Sequence, residues 1–200
     1  MTTDFTVLTD PFIWVYEDAI PEKKCQEIIE KFEAFPHKTQ GSTGGGINLL
    51  IKNSIDCMVS GFDYWSDIDK EFVGLIDFLI EKYCQHLANS ITGFSSFVTG
   101  NNVIFIPPLY DNVYDTGYQI QRTEVGKGYT WHHDWQPQRV LTYILYLNTV
   151  EEGWTQFYNG DQVSPKAGRC VIFPATWTYY HQGYPPKQTK YLMTGWVHNA

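Results

Sequence analysis

The 200-residue sequence is poor in basic residues and lacks long apolar runs. Lys and Arg total 14 against 22 Asp and Glu, and the resulting net charge of −8 disfavours a general nucleic-acid binder, since that mode needs clustered cations. No apolar stretch approaches the roughly 18 residues that a membrane-spanning helix needs, and the polar start Met1 to Asp4 lacks the features of a signal peptide. We therefore expect a cytoplasmic protein that binds neither nucleic acid nor membrane.

Cysteine is also scarce and widely spaced. Cys25, Cys57, Cys84 and Cys170 form no Cys-x-x-Cys pattern, so neither a zinc knuckle nor a redox pair is indicated. Free, mostly buried thiols are the expectation.

Hydrophobic periodicity predicts two helices and many short strands. The first helix is expected from Pro21 to about Phe35 and the second from about Ser66, each with an apolar stripe at helical spacing. Strands are predicted at residues 12–16, 49–52, 103–106, 118–124, 129–134, 140–147, 154–158, 169–173, 179–182 and 190–197. Short strands separated by Gly and Pro turns indicate a sandwich or barrel, with the helices packed against one face of a sheet.

The glycine-rich stretch Gly41 to Gly46 is predicted to be a loop, because glycine costs ordering entropy and offers nothing to pack. It lacks the Gly-Lys-Ser/Thr ending of a phosphate-binding loop. A plain surface loop and a lid at a site entrance both stay open.

A His-x-Asp pattern lies at the end of the predicted strand 129–134. Side chains alternate along a strand, so His132 and Asp134 face one way and His133 the other. An imidazole and a carboxylate that converge on one point are two of the three ligands of a facial triad that holds Fe(II). His181 is available as the third ligand.

The strand predicted at 190–197 follows the third candidate ligand. Its alternation places Lys190, Leu192, Thr194 and Trp196 on one face. A cation, a hydroxyl and an indole on that face suit a small carboxylate ligand whose far end needs a positive partner.

In order and spacing these pieces resemble the prolyl 4-hydroxylase-like branch of the Fe(II)/2-oxoglutarate dioxygenases. The resemblance covers residues 117–198, and the N-terminal half fits it only loosely. The matching segments are Tyr129 to Asp134, Leu141 to Asn148, Gly153-Trp154-Thr155, Gly168 to Pro174, and His181-Gln182-Gly183 with Lys190. A β-rich α+β fold is implied, a double-stranded β-helix (a jelly-roll, cupin-like barrel) with two N-terminal helices buttressing one sheet. We accordingly expect one domain, residues 1–200, in which 1–116 supports an iron-binding barrel core at 117–200.

The resemblance also implies roles for individual residues. His132, Asp134 and His181 would be the catalytic metal ligands, while Lys190 would pair with the distal carboxylate of 2-oxoglutarate. Thr194 and Trp196 would share the face of Lys190.

Three tyrosines are further candidates for the cofactor pocket. Tyr146 is favoured over Tyr143 for a second contact with the 2-oxoglutarate carboxylate, and Tyr129 is expected to line the pocket. Where many relatives carry another tyrosine near the Arg122 position, this chain has Gln121 and Thr123, so one hydrogen bond to 2-oxoglutarate is either missing or comes from Gln121.

The implied reaction uses Fe(II), 2-oxoglutarate and O₂, with ascorbate as an optional reductant, and yields succinate, CO₂ and a hydroxylated C–H position. Asp134 favours hydroxylation, since halogenating relatives have a small non-ligating residue there. The family resemblance favours a prolyl residue of a peptide or protein as substrate. The short segment Trp135 to Arg139 also permits a free amino acid or small metabolite. A rival of another class is a non-catalytic jelly-roll that binds a metal or ligand.

Overall fold

The computed structural model describes residues 5–90 and 113–199. The helices are α1 (Glu22–Ala34) and α2 (Ser66–Ser90), the latter preceded by a 3₁₀ turn at Asp63–Trp65. The strands are β1 (Phe5–Val7), β2 (Trp14–Tyr16), β3 (Thr39–Gln40), β4 (Ile55–Met58), β5 (Val113–Thr123), β6 (Tyr129–His132), β7 (Arg139–Tyr146), β8 (Thr155–Phe157), β9 (Gln162–Val163), β10 (Cys170–Pro174), β11 (His181–Gly183) and β12 (Lys190–Asn199). In the part of the chain described, neither helix combines the length and the apolar character needed to span a membrane.

The two helices follow their apolar stripes. Helix α1 begins directly after Pro21, where the missing N–H of proline costs no helical hydrogen bond, and it buries Cys25, Ile28 and Phe32. Helix α2 begins at Ser66 and its buried side chains include Phe72 and Tyr83. Both predicted helices are confirmed, because an i, i+3, i+4 pattern leaves one face to bury.

The strands form two antiparallel sheets. The large sheet has the order β1-β2-β10-β7-β12-β5-β4-β3, and the small sheet has the order β6-β11-β8-β9. Strands from both halves of the chain share the large sheet, since β2 pairs with β10 and β4 pairs with β5. Two helices with two antiparallel sheets agree with the expected β-rich jelly-roll architecture.

Strand β7 is buried on both faces of the large sheet. Tyr143 and Leu145 belong to a core that also contains buried side chains of α1 and α2. Ile144 and Tyr146 belong to a second core, which includes Phe157 from the small sheet. Burial on both sides explains why residues 140–147 read as an unbroken apolar run.

The prediction of a strand at residues 49–52 is wrong. The backbone N–H groups of Ile51 and Lys52 donate to the carbonyl of Asn48, and the Asn48 side chain accepts from Leu50 N at 3.0 Å, which makes the segment a turn. Leu50 is 88% exposed, so no sheet face is available to bury it. The strand of this region lies further along, at β4.

Other differences concern ends and short elements. Strand β2 is shorter than predicted, and β6 ends at His132 instead of residue 134. Strands β1, β3 and β9 have two or three residues each, too few for a period-two pattern to show in the sequence. The strand predicted at 103–106 lies outside the described residues. Of the four free cysteines, Cys25, Cys57 and Cys170 are buried and Cys84 is partly buried, as expected.

Candidate active site

The structure brings His132, Asp134 and His181 together. His132 at the end of β6 and His181 at the start of β11 are direct cross-strand partners, and Asp134 follows two residues after the end of β6. One ligand atom from each residue lies within 4.8 Å of the others. The Nε2 atoms of His132 and His181 are 3.8 and 3.7 Å from the two carboxylate oxygens of Asp134. Three donor atoms therefore face one small volume.

Backbone carbonyls fix the orientation of both imidazoles. His132 Nδ1 lies 2.7 Å from the carbonyl oxygen of Thr130, and His181 Nδ1 lies 2.9 Å from that of Tyr179. A carbonyl oxygen only accepts, so each Nδ1 carries the hydrogen and each neutral Nε2 directs a lone pair toward Asp134. This arrangement, with the second ring nitrogen bonded to the backbone, is typical of metal-binding histidines.

The charges of the cluster also suit a divalent cation. Burial, and then the neighbouring His181, lower the pKa of His132, which keeps that imidazole neutral. Burial opposes ionisation of Asp134, but the two histidines and a 2.9 Å hydrogen bond from Thr142 Oγ1 to Oδ2 more than offset it and lower the pKa. A carboxylate with two imidazole lone pairs is the donor set of a non-haem Fe(II) site.

A cavity of about 420 Å³ opens onto the three residues. One face of β12 lines it, with Lys190, Leu192, Thr194 and Trp196 all exposed to the cavity. Gln121 and Thr123 of β5 border the same space. The cavity is therefore shared between the large sheet and the small sheet that carries the histidines.

Lys190 is a buried cation in this cavity. It is 3% exposed, and its Nζ donates to the carbonyl oxygen of Gly153 at 2.6 Å. Burial lowers the pKa of the Lys190 ammonium to about 8. Within residues 5–90 and 113–199, no carboxylate comes within ion-pair distance of Nζ. A buried ammonium without an anionic partner is costly, which favours an anionic ligand beside it.

The comparisons with known proteins agree with this geometry. Residues 118–198 match the family model of the 2OG-Fe(II) oxygenase superfamily. This segment is therefore similar to 2OG-Fe(II) oxygenase domains. No curated protein matches the chain.

Three solved structures share the fold of this chain. A Pseudomonas putida prolyl-4-hydroxylase is 12% identical with a TM-score of 0.64, covering 94% of this chain and 93% of the other. A Trichoplax adhaerens prolyl hydroxylase, in complex with a hypoxia inducible factor peptide fragment, is 17% identical with a TM-score of 0.72 and coverages of 96% and 86%. A viral collagen prolyl hydroxylase from Paramecium Bursaria Chlorella virus-1, in a 2OG complex, is 18% identical with a TM-score of 0.58 and coverages of 94% and 97%.

The three candidate tyrosines differ in position. Tyr129 lines the cavity and stacks on His132 with ring centroids 3.5 Å apart, and burial raises its pKa to about 12, so the phenol stays neutral. Tyr146 does not line the cavity, because its hydroxyl donates to Thr155 Oγ1 at 2.6 Å inside the core. Thr155 borders the cavity in its place, and Tyr143 lies on the opposite side of β7, with its hydroxyl on Asp115. The contact of Tyr146 with 2-oxoglutarate stays a prediction, and in this structure the Tyr146 hydroxyl reaches the cavity only through its bond to Thr155.

Arg139 is a cavity residue that the sequence did not indicate. Its Nη1 donates to the backbone carbonyl of Asp134 at 3.2 Å, and its guanidinium carbon lies 3.7 Å from the centre of the Trp196 ring. The stacking partner lies on another strand, so spacing in the sequence gave no signal for it.

The segment between β3 and β4 also reaches the cavity. Ser42, Thr43 and Gly44 line it, so part of the glycine-rich loop borders the candidate site. Lys52 is 4% exposed, pairs with Asp56 Oδ2 at 2.6 Å and lies 5.5 Å above the Tyr129 ring.

The same segment is bonded to β6. Thr130 N donates to Ile51 O at 2.8 Å, and Asn53 N donates to Gly128 O at 2.9 Å. Segment 41–54 thus lies along the strand that carries His132.

Proposed function

We propose that the protein is an Fe(II)- and 2-oxoglutarate-dependent dioxygenase that hydroxylates an unactivated C–H bond and releases succinate and CO₂. The observation that carries this proposal is the pair of histidine Nε2 atoms directed at Asp134, with both Nδ1 atoms held by backbone carbonyls. Lys190, a buried cation in the same cavity, supports it.

In this proposal His132, Asp134 and His181 hold Fe(II), which with 2-oxoglutarate supplies the O₂ chemistry, and ascorbate is an optional reductant. Lys190 receives the distal carboxylate of 2-oxoglutarate, and Thr155 lines the same cavity. The cavity is also lined by Thr194, Trp196 and Tyr129, and these side chains keep water from the reacting atoms.

We infer that the substrate is a prolyl residue of a peptide or protein. The fold is shared with prolyl hydroxylases, one of which is in complex with a peptide fragment. We also infer one domain in which the two sheets close into a barrel, with residues 1–116 as support and 117–200 as the iron-binding core. Pairing of β2 with β10 and of β4 with β5 supports a single unit.

The first test is an anaerobic titration of the metal-free protein with Fe(II) and 2-oxoglutarate, followed through the visible charge-transfer band of the chelate. We expect the band in the parent and none in His132→Ala, whereas His37→Ala, a histidine outside the cavity, should keep it. A parent without the band would instead favour a non-catalytic binding barrel.

The second test concerns substrate. Proline-containing peptides and free amino acids are incubated separately with Fe(II), 2-oxoglutarate and O₂, and succinate and a mass gain of one oxygen are measured. Hydroxylated peptide with unchanged amino acids is the expected result. Hydroxylation of free amino acids alone would move the substrate to small metabolites.

A further inference from the structure

Tyr129 and His132 stack on each other although they are three residues apart on β6. Regular alternation would turn their side chains to opposite sides of the strand. Tyr129 is opposite Gly183 and His132 is opposite His181, so three residue steps on β6 match two on β11. An extra residue of this kind is a β-bulge, which re-aims side chains and is common next to functional sites. The bulge allows the two rings to stack, with centroids 3.5 Å apart and planes at 11°.

The His132 imidazole is thus held by two contacts of different kinds. The Thr130 carbonyl accepts from Nδ1 at 2.7 Å, which fixes one ring atom. A single hydrogen bond leaves the ring free to tilt about that atom, whereas a stacked ring opposes the tilt because the contact between the two faces would be lost. The position of Tyr129 therefore helps to set the direction of His132 Nε2, which faces Asp134 Oδ1 at 3.8 Å.

A buried ammonium group lies over the Tyr129 ring. Lys52 forms an antiparallel bridge with Tyr129, and residues opposite each other in such a bridge have their side chains on the same side. Lys52 Nζ is 5.5 Å from the ring centre, which is within the range of a cation–π interaction. Lys52 is 4% exposed, and this attraction is stronger where water is excluded.

The neighbours of Lys52 fix its ammonium in place. Asp56 Oδ2 accepts from Nζ at 2.6 Å, and the Ser54 hydroxyl donates to Asp56 Oδ1 at 2.7 Å, so both carboxylate oxygens are bonded. A Cβ at Gly41 would lie 3.1 Å from both Asp56 Oδ2 and Lys52 Cε, so only a glycine lets the backbone pack this closely on the pair. Among the residues that the structure describes, Asp56 is the sole hydrogen-bond partner of Nζ. The pair holds the ammonium at one place over the Tyr129 ring.

The energetics of this pair indicate a role beyond stability. Two buried charges lose their hydration, and apolar residues of similar volume in their place are often as stabilising or more so. Lys52 lines the active-site cavity, whereas Asp56 lies behind it and outside the lining. The ammonium is therefore placed between its counter-ion and the part of the cavity wall that carries His132.

We propose that Lys52, held by Asp56, is a positioning residue that keeps the Tyr129 ring against the His132 imidazole and so orients Nε2 for metal binding. In this role Lys52 contacts neither the metal nor 2-oxoglutarate and acts through Tyr129 alone. The inference rests on the proposed function, because it takes His132 to be a metal ligand.

The test measures the Co(II) affinity of the metal-free full chain by anaerobic calorimetry, without 2-oxoglutarate. The visible absorption spectrum of bound Co(II), which stands in for Fe(II), is recorded as well, because it reports the arrangement of the ligands around the metal. A side chain that only stabilises the fold would leave this spectrum unchanged.

The variants separate the cation from its counter-ion and from the ring. Lys52→Met alone would leave Asp56 buried and unpaired, so the charge is removed in a double variant, Lys52→Met with Asp56→Asn, called the neutral pair. Tyr129→Leu removes the ring, and a further variant combines it with the neutral pair. Lys52→Arg keeps the cation. Lys82→Met is the matched control, because Lys82 also lies 5.5 Å from an aromatic ring but outside the cavity.

We expect the neutral pair to bind Co(II) about 10-fold more weakly than the parent and to show an altered spectrum, since residues that orient a ligand are worth about 10- to 100-fold in affinity. Lys52→Arg should stay within about threefold of the parent, because a guanidinium also pairs with a carboxylate and lies over a ring. Lys82→Met should equal the parent. The combined variant should bind no more weakly than Tyr129→Leu alone, because without the ring Lys52 has nothing to act through.

Additive losses in the combined variant would overturn the inference, since Lys52 would then act without Tyr129. Parent-like Co(II) affinity and spectrum in the neutral pair would overturn it as well, even where that variant needs more 2-oxoglutarate, because Lys52 would then contact the co-substrate. These results leave the proposed dioxygenase intact. A parent whose Co(II) affinity is unchanged by His132→Ala would instead remove the proposed function, and this inference with it.

Discussion

The Lys190 ammonium is buried, and its burial should have a measurable effect on the free energy of unfolding. Its pKa is lowered from 10.5 to about 8 in the folded protein. Between these values the unfolded lysine binds a proton that the folded one does not, so the ligand-free protein should gain stability as pH rises. We expect Lys190 to contribute a gain of about 2 kcal/mol between about pH 8 and pH 10.

The measurement is urea unfolding of the parent and of Lys190→Met at both pH values. The variant removes the titrating group. The difference in unfolding free energy between the two proteins therefore reports on Lys190 and not on the tyrosines and cysteines that titrate in the same pH range. A pH-independent difference would mean that the ammonium is solvated in the native state.

Thr142 acts on the candidate metal centre through Asp134. Its hydroxyl donates to Oδ2 at 2.9 Å, and it is 1% exposed on β7. Thr142→Val keeps the shape of the side chain but removes that hydrogen bond. Affinity for Fe(II) or Co(II), measured by anaerobic calorimetry, should fall about 10- to 100-fold. Thr176→Val, which removes a half-buried hydroxyl that is bonded to Thr178 and not to Asp134, is the control, and equal affinities of the two variants would refute the role of Thr142.

At the scale of elements, β12 has no room for added volume at Gly195. A Cβ at Gly195 would lie 2.5 Å from Tyr143 Cζ and 2.7 Å from the Gly117 carbonyl oxygen. The Tyr143 hydroxyl is bonded to Asp115, so the ring cannot move away without breaking that bond. Gly195→Ala should therefore cost about 1–3 kcal/mol of unfolding free energy.

Gly74 on α2 provides a control of opposite sign. A Cβ there meets nothing within 4 Å, and alanine is the better helix former by about 1 kcal/mol. Gly74→Ala should raise the urea midpoint while Gly195→Ala lowers it. A neutral Gly195→Ala would show that β12 and β7 separate more easily than their packing indicates.

The helices and strands also show which parts of the fold can be predicted from the sequence. Strands β7 and β12 and both helices could be predicted, because a long apolar period leaves few alternative arrangements. Residues 49–52 have the apolar content of a strand, but the Asn48 side chain bonds the backbone of Leu50 and makes a turn instead. Local hydrogen bonding of this kind has no periodicity and is not visible in a hydrophobic pattern.

The residues of the candidate site likewise fall into those that the sequence predicts and those that it does not. His132, Asp134, His181 and Lys190 follow from strand alternation and motif spacing, and the structure brings them to one cavity. Lys52 lies there too, but it arrives through segment 41–54, whose contact with β6 is long-range. Contacts between distant segments depend on register and turn geometry, which no single stretch of sequence specifies.

At the scale of the whole molecule, ligands should tie the two sheets together. The histidines stand on the small sheet, whereas Lys190 and Thr142 stand on the large one. Fe(II) with 2-oxoglutarate should stabilise the parent by about 2.7 kcal/mol at a hundredfold excess over Kd. Anaerobic thermal scans should show this as a rise in Tm that His181→Ala lacks and His37→Ala retains. A rise of equal size in all three proteins would place the metal elsewhere.

Segment 41–54 bears on how copies of this chain behave toward one another. Strand β6 is at the border of the small sheet, and an uncovered border of this kind is a template onto which a second chain can add a strand. The bonds from Thr130 to Ile51 and from Asn53 to Gly128 occupy that border. The loop that borders the candidate active-site cavity thus also covers this edge strand, and we expect a chain shortened there to be more prone to self-association.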